Sequence, residues 1–218
     1  MHRLRNAALA AIMLALVAGS TAAAAGPRLR GVLPPTAHPR GHSLTELATA
    51  WNMWAFGSST DNPLLAVRCE QSPIDPKIWF LPVSLGGEWE NTCDVPQGAF
   101  LLMNPGGSEC SNLEAEPYFG TDEADLRSCV NETFVDLTYL EVTVNGTTVT
   151  NLDPWIVVTD MINLPADNLF SASPGISMDK GYFLVLQPMS RGTHTLRAYD
   201  EFFDGGFQAG ITYTINVH

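Results

Sequence analysis

This chain of 218 residues is short of histidine and of positive charge, and both shortages narrow what it can do. Of its five histidines, His2, His38 and His42 precede the main body and His218 is the last residue. Only His194 lies well inside, and "GTHTL" places it in a strand between two threonines, the setting of a solvent-facing side chain rather than a general base. No G-x-S-x-G elbow occurs, so the nucleophile turn of an α/β-hydrolase is missing. H-x-H, H-E-x-x-H and C-x-x-C are absent too, which removes the usual motifs for transition metals and for dithiol redox chemistry.

The charge shortage is as informative. All 23 acidic residues lie from Glu46 onward, against only Arg68, Lys77, Arg127, Lys180, Arg191 and Arg197 over the same stretch. Such a surface repels phosphate, so nucleic acid is excluded as a partner by electrostatics. Cations and neutral ligands such as glycans stay open, as does a protein partner.

Long apolar runs are missing except at the start. "MHRLRNAALAAIMLALVAGSTAAAAG" has Arg3 and Arg5, an apolar stretch from Ala7 to Ala18, then small residues with A-x-A choices around Ala23 to Ala25. That is the layout of a secretory signal over residues 1–25, too short to span a bilayer and without a following stop-transfer pattern. No membrane insertion is expected after its removal. Residues 26–42, rich in Pro, Gly and Arg, read as a flexible or loosely docked leader, and residues 43–218 as a single domain. The expected location is secreted or extracellular, with the periplasm or cell envelope as the other choices.

What is present points to a disulfide-stabilised β fold. Cys69, Cys93, Cys110 and Cys129 all fall in the exported part, where disulfides are favoured over thiolate metal sites. Of three connectivities, sequential pairing is preferred, and each closed loop would stabilise by roughly 3 kcal/mol. "HSLTELATAWNMWAFG" carries Ser43 and Glu46 at capping-box spacing, one apolar face and a terminal Gly57, so it predicts an amphipathic helix. After it come short extended runs broken by Gly, Pro and Asn. "KIWFLPV" and "SLGGEWENTCDV" look like a hairpin turning at Gly86-Gly87. Asn145-Gly146 marks a second hairpin, and "GYFLVLQP", "GTHTLRAYDEFF" and "GITYTINVH" are further strands. The predicted class is mainly β, an antiparallel β-sandwich or jelly-roll with one N-terminal helix and two disulfides.

Between Cys110 and Cys129 runs an acid-rich loop, "CSNLEAEPYFGTDEADLRSC". Thr121 and Ser111 offer helix starts inside it, which gives several acids a first-turn use. Glu109, Glu114 and Glu116 are left as a candidate acidic or ligand site. Asp200, Glu201 and Asp204, before Gly205-Gly206, form a second set of oxygens for calcium, although neither loop has EF-hand spacing. No other cofactor is expected. Glu88 and Glu90 flank Trp89, but alternate residues share one strand face, so the pair reads as a wet surface rather than a glycosidase dyad. Trp89 and Trp155 are candidate rings for stacking on a ligand.

The series "WNMW", "IWFLPVSLGG", "VPQG", "NPGGSECSNLE", "LPADNLF", "KGYFLVLQP" and "GTHTL" resembles a family of secreted bacterial proteins with no assigned activity. The resemblance spans nearly the whole chain after the signal. It implies one exported domain and brings no catalytic residues with it. The expected function is therefore an exported binding or interaction module for an extracellular ligand. A secreted polysaccharide hydrolase using carboxylates, with or without calcium, is the first alternative, and an extracellular structural component that assembles through an edge strand is the second.

Overall fold

A computed structural model describes residues 31–218. The predicted signal, 1–25, and the first leader residues lie outside them. Helix α1 spans Leu44–Phe56. Ser43 caps it as the spacing requires: its hydroxyl accepts from the Glu46 amide at 3.2 Å, and the Glu46 carboxylate accepts from the Ser43 amide at 2.7 Å. Leu44, Leu47, Ala48, Trp51 and Ala55 form its buried stripe. Helix α2, Glu123–Thr133, begins where the acid-rich loop predicted a start near Thr121. Asp122 is the cap, accepting from the Ala124 and Asp125 amides at 2.9 and 3.0 Å.

Apart from single 3-10 turns at Pro39–Gly41, Phe134–Asp136 and Asp153–Trp155, the remaining elements are strands: β1 Glu70–Gln71, β2 Ile78–Phe80, β3 Gly87–Val95, β4 Phe100–Ser111, β5 Leu137–Val144, β6 Thr147–Val149, β7 Ile156–Val158, β8 Ile162–Leu164, β9 Gly175–Leu186, β10 Gly192–Phe202 and β11 Phe207–Val217. They form two facing sheets. One has the order β1-β2-β4-β9-β7, with β8 also paired to β9; the other is β3-β11-β10-β5-β6. The predicted sandwich, early helix and both disulfides, Cys69–Cys93 and Cys110–Cys129, are all present.

Each sheet nevertheless contains one parallel pair, β2 with β4 and β3 with β11. This corrects the predicted Gly86-Gly87 hairpin. Both glycines do turn the chain, at φ 127° and 73°, but they send β2 and β3 into different sheets. Three-residue β2 offers little ladder to pair with, whereas β3 finds nine partners from Ala209 to Val217. The longer ladder decides the register. Cys69–Cys93 then links the segment before β1 to β3, across the sandwich. The Asn145-Gly146 hairpin forms as expected, with both residues at positive φ.

Ser111 does not begin a helix. It ends β4, where its hydroxyl accepts from the Leu113 amide at 3.2 Å and donates to Glu114 at 3.1 Å. The leader, expected to be flexible or loosely docked, is packed against the first sheet from residue 31 onward. Val32, 1% exposed, bridges to Leu186, the Leu33 amide donates to Val185 at 2.8 Å, and Arg40 pairs with Asp75 at 3.2 Å. Two apolar residues beside a sheet gain more from burial than the Pro- and Gly-rich context gains from staying free. Among the described residues no helix is long and apolar enough to cross a membrane.

Candidate ligand-binding cavity

β4 is covered unevenly. On one side it pairs with β9 almost throughout, but on the other β2 reaches only Phe100–Leu102. A register shift against β9 follows between Met103 and Gly106, and among the described residues no strand pairs that outer side again until Ser111 bridges to Phe119. A cavity of about 220 Å³ opens beside this stretch, between α1 and the second sheet. Its apolar walls include Trp51 and Phe56 of α1, and Phe202 and Phe207 of the β10–β11 hairpin. At the lip, Leu85 and Phe207 stay 43% and 41% exposed.

Three acids line this space: Glu109, Asp179 and Asp200. Glu109 and Asp179 are direct partners in the antiparallel register of β4 and β9, so their side chains share a sheet face. Asp200 arrives from the opposite sheet. It alternates in register with Leu196, Ala198 and Phe202, the inward row of β10, and so points at the cavity. Glycines let the backbone come between. A Cβ on Gly107 would lie 3.0 Å from Asp179 Oδ1 and from Gly181 Cα; one on Gly106 would lie 3.2 Å from Asp200 Oδ2.

Asp179 is 2% exposed. Its Oδ2 accepts from Asn104 Nδ2 at 3.2 Å, while its Oδ1 has no hydrogen-bond partner. The Asp179 amide donates to Thr159 Oγ1 at 2.9 Å, and the same hydroxyl receives a long contact, 3.5 Å, from Asn52 of α1. Burial pushes the Asp179 carboxyl up to about 8, the Asn104 bond opposing only in part. Asp200 is pushed up to about 7, again by burial. Half-buried Glu109 is raised well above the usual carboxylate range by burial first and by the neighbouring Glu114 carboxyl second; a hydrogen bond donated by Ser177 works the other way. None of the residues lining the cavity is Lys, Arg or His. The raised carboxyls therefore favour keeping protons where counterions would otherwise be needed.

The predicted acidic set divides. Glu109 is in the cavity wall and half-buried Glu114 stands behind it, but Glu116 is exposed in the loop before Pro117. Asp200, Glu201 and Asp204 do not converge as a calcium loop. Consecutive strand residues face opposite ways, so Asp200 points inward while Glu201 accepts from the Tyr199 hydroxyl on the outer face at 2.7 Å; Asp204 sits in the turn at φ 51°. Among the described residues no three His, Cys, Asp or Glu side chains gather closely enough to hold a metal ion. Trp155 is wholly buried, its indole donating to the Leu33 carbonyl at 2.8 Å, so the exposed face expected for stacking does not exist. The docked leader is what covers it. Half-buried Trp89 packs against the core from β3, away from the cavity walls. Glu88 makes an outer-face ion pair with Arg197 at 2.9 Å, as the wet-face reading of that strand requires.

Asp179 and Asn104 were not among the predicted site residues. The available signal was parity: Asp179 shares its strand face with Gly181, Phe183 and Val185, an inward row that an acid interrupts. The fold and cavity define a disulfide-bonded β-sandwich with an acid-lined pocket between its layers. No protein-family model, curated protein or solved structure matches the chain.

Proposed function

We propose that this protein is an exported binding module that holds a small ligand in the cavity beside β4. The observation that carries this reading is the Asp179 carboxyl, buried with one oxygen unpartnered in the wall of a cavity with an apolar lip. A buried polar atom without a partner costs about 1–3 kcal/mol, and a ligand donor placed there would recover it. Concavity, mostly apolar walls and a few convergent polar groups are the general features of small-molecule sites. Export is supported by the signal-like N-terminus and by two disulfides, which belong to an oxidising compartment.

Binding is favoured over carboxylate hydrolysis by the electrostatics. A glycosidase pair needs one acid kept neutral and a second held ionised by donors. Here all three carboxyls are pushed the same way and no basic residue lines the site. Amide NMR with a library of small polar fragments tests the reading. Binders should shift the Gly106 and Gly107 signals, and Ala198→Leu, which fills the cavity, should abolish those shifts. Shifts that survive in Ala198→Leu would place the binding elsewhere and end this reading.

A further inference from the structure

We infer that the cavity takes a primary ammonium on a short apolar body, admitted in exchange for a proton; this rests on the cavity being the ligand site. The charge balance comes first. Glu109, Asp179 and Asp200 face the space from β4, β9 and β10, and Glu114 lies behind Glu109. The other polar groups around Asp179 are uncharged: Asn104 from β4, Thr159 after β7 and Asn52 from α1. Lys180, next along β9, is turned to the other face, where it donates to Asn131 at 2.8 Å and lies over the Phe134 ring. The site thus has acids and no internal base.

Protons retained on the carboxyls are one solution to that imbalance, and a cation is the other. When R–NH₃⁺ enters, one carboxyl gives its proton to solvent and the resulting carboxylate pairs with the ammonium. Charge inside the cavity then stays neutral: one acid is replaced by one ion pair. The hydrogen-bond pattern selects among cations. Asp179 Oδ1 needs a donor, which a primary ammonium has and a quaternary one lacks. The apolar walls, to which Trp51, Phe56, Phe202 and Phe207 contribute, suit an ammonium with an alkyl body better than a fully hydrated ion. Aromatic faces attract ammonium groups and also cover the alkyl body.

Isothermal titration of the purified protein with n-butylammonium chloride tests this, with 1-butanol and tetramethylammonium chloride as shape and charge controls. At pH 7, repeats in two buffers of different ionisation enthalpy should show close to one proton released per butylammonium bound. Affinity should fall at least tenfold between pH 8 and pH 5.5, where a proton must be displaced from a more fully protonated site. Both controls should bind at least tenfold more weakly. Asp179→Asn and Asp200→Asn keep the shape of the cavity and should each cost tenfold or more. Butanol binding as well as butylammonium, without proton release, would overturn the ammonium inference and leave the cavity reading intact. Butylammonium binding that neither Asn variant alters would overturn it too. If no probe binds and Ala198→Leu leaves the fragment shifts of the parent protein unchanged, both readings fail together.

Discussion

The two halves of β4 follow opposite rules within one strand. From Phe100 to Met103 it is an interior strand, paired on both sides at Leu101 and Leu102, with Leu101, Leu102 and Met103 at most 1% exposed. From Asn104 to Glu109 it keeps β9 but loses its other neighbour, exchanges branched residues for glycines, and meets two aspartates. The first half stabilises the fold by burying apolar area. The second spends part of that stability on buried carboxyls, the usual price of a preformed site. A strand can thus belong to the core and to a binding site at once, provided its edge is left open where the function changes.

The widest separation between the halves should be in their response to pH. The folded state keeps a proton on Asp179 to about pH 8, whereas the unfolded chain gives it up near 3.8. Asp200 behaves likewise up to about 7, and Glu109 in the same direction. The stability conferred by the neutral acids is therefore complete below about pH 4 and is lost as pH rises toward 8. Urea melts should show a decline of several kcal/mol over that range. Asp179→Asn should remove much of the slope and raise stability at pH 8; an unaltered slope would contradict the assignment.

Leu102→Ala, in the apolar half, should cost about 3 kcal/mol by leaving a cavity. The loss should be equal at pH 5 and pH 8, and a pH-dependent loss would blur the division between the halves. Gly107→Ala should cost about 2 kcal/mol, because its Cβ would press on Gly181 Cα and the Lys180 carbonyl as well as on Asp179. Ser177→Ala should cost only about 1 kcal/mol. Because the Ser177 hydroxyl stabilises ionised Glu109, its loss should also move the Glu109 titration upward, which carboxyl-labelled NMR can follow.

Local chemistry was legible in the sequence and distant pairing was not. Ser43 with Glu46, Asn145 with Gly146, and the cysteines at separations of 24 and 19 each specify their neighbourhood through short-range geometry. The class of fold followed from these and from strand alternation. Glu109 was legible as an acid just outside a disulfide loop, but its partners come from 70 residues away in β9 and from the other sheet. Nothing local says which strand Asp179 will face. The separation of β2 from β3 was hidden for the same reason: Gly86-Gly87 encodes a turn, while the choice of sheet depends on a partner at the far end of the chain. The burial of Trp155 is hidden in the sequence because Val32 and Leu33, which dock on the first sheet, sit in a Pro- and Gly-rich context without strand periodicity.

The pairing of β3 with β11 has a consequence for timing. Among the described residues β3 has no neighbour in its sheet except β11, which spans Phe207–Val217. Until Phe207–Val217 is available, the segment around Trp89 and Cys93 has no ladder to join, and its apolar side has nothing to cover it. Non-local pairing of this kind slows folding, because the whole intervening chain must be ordered before the contact is rewarded. The first sheet can close earlier, because its last strand in chain order is β9. Assembly of the second sheet therefore waits on Phe207–Val217, and the contacts that bury one side of β3 are among the last the fold can make.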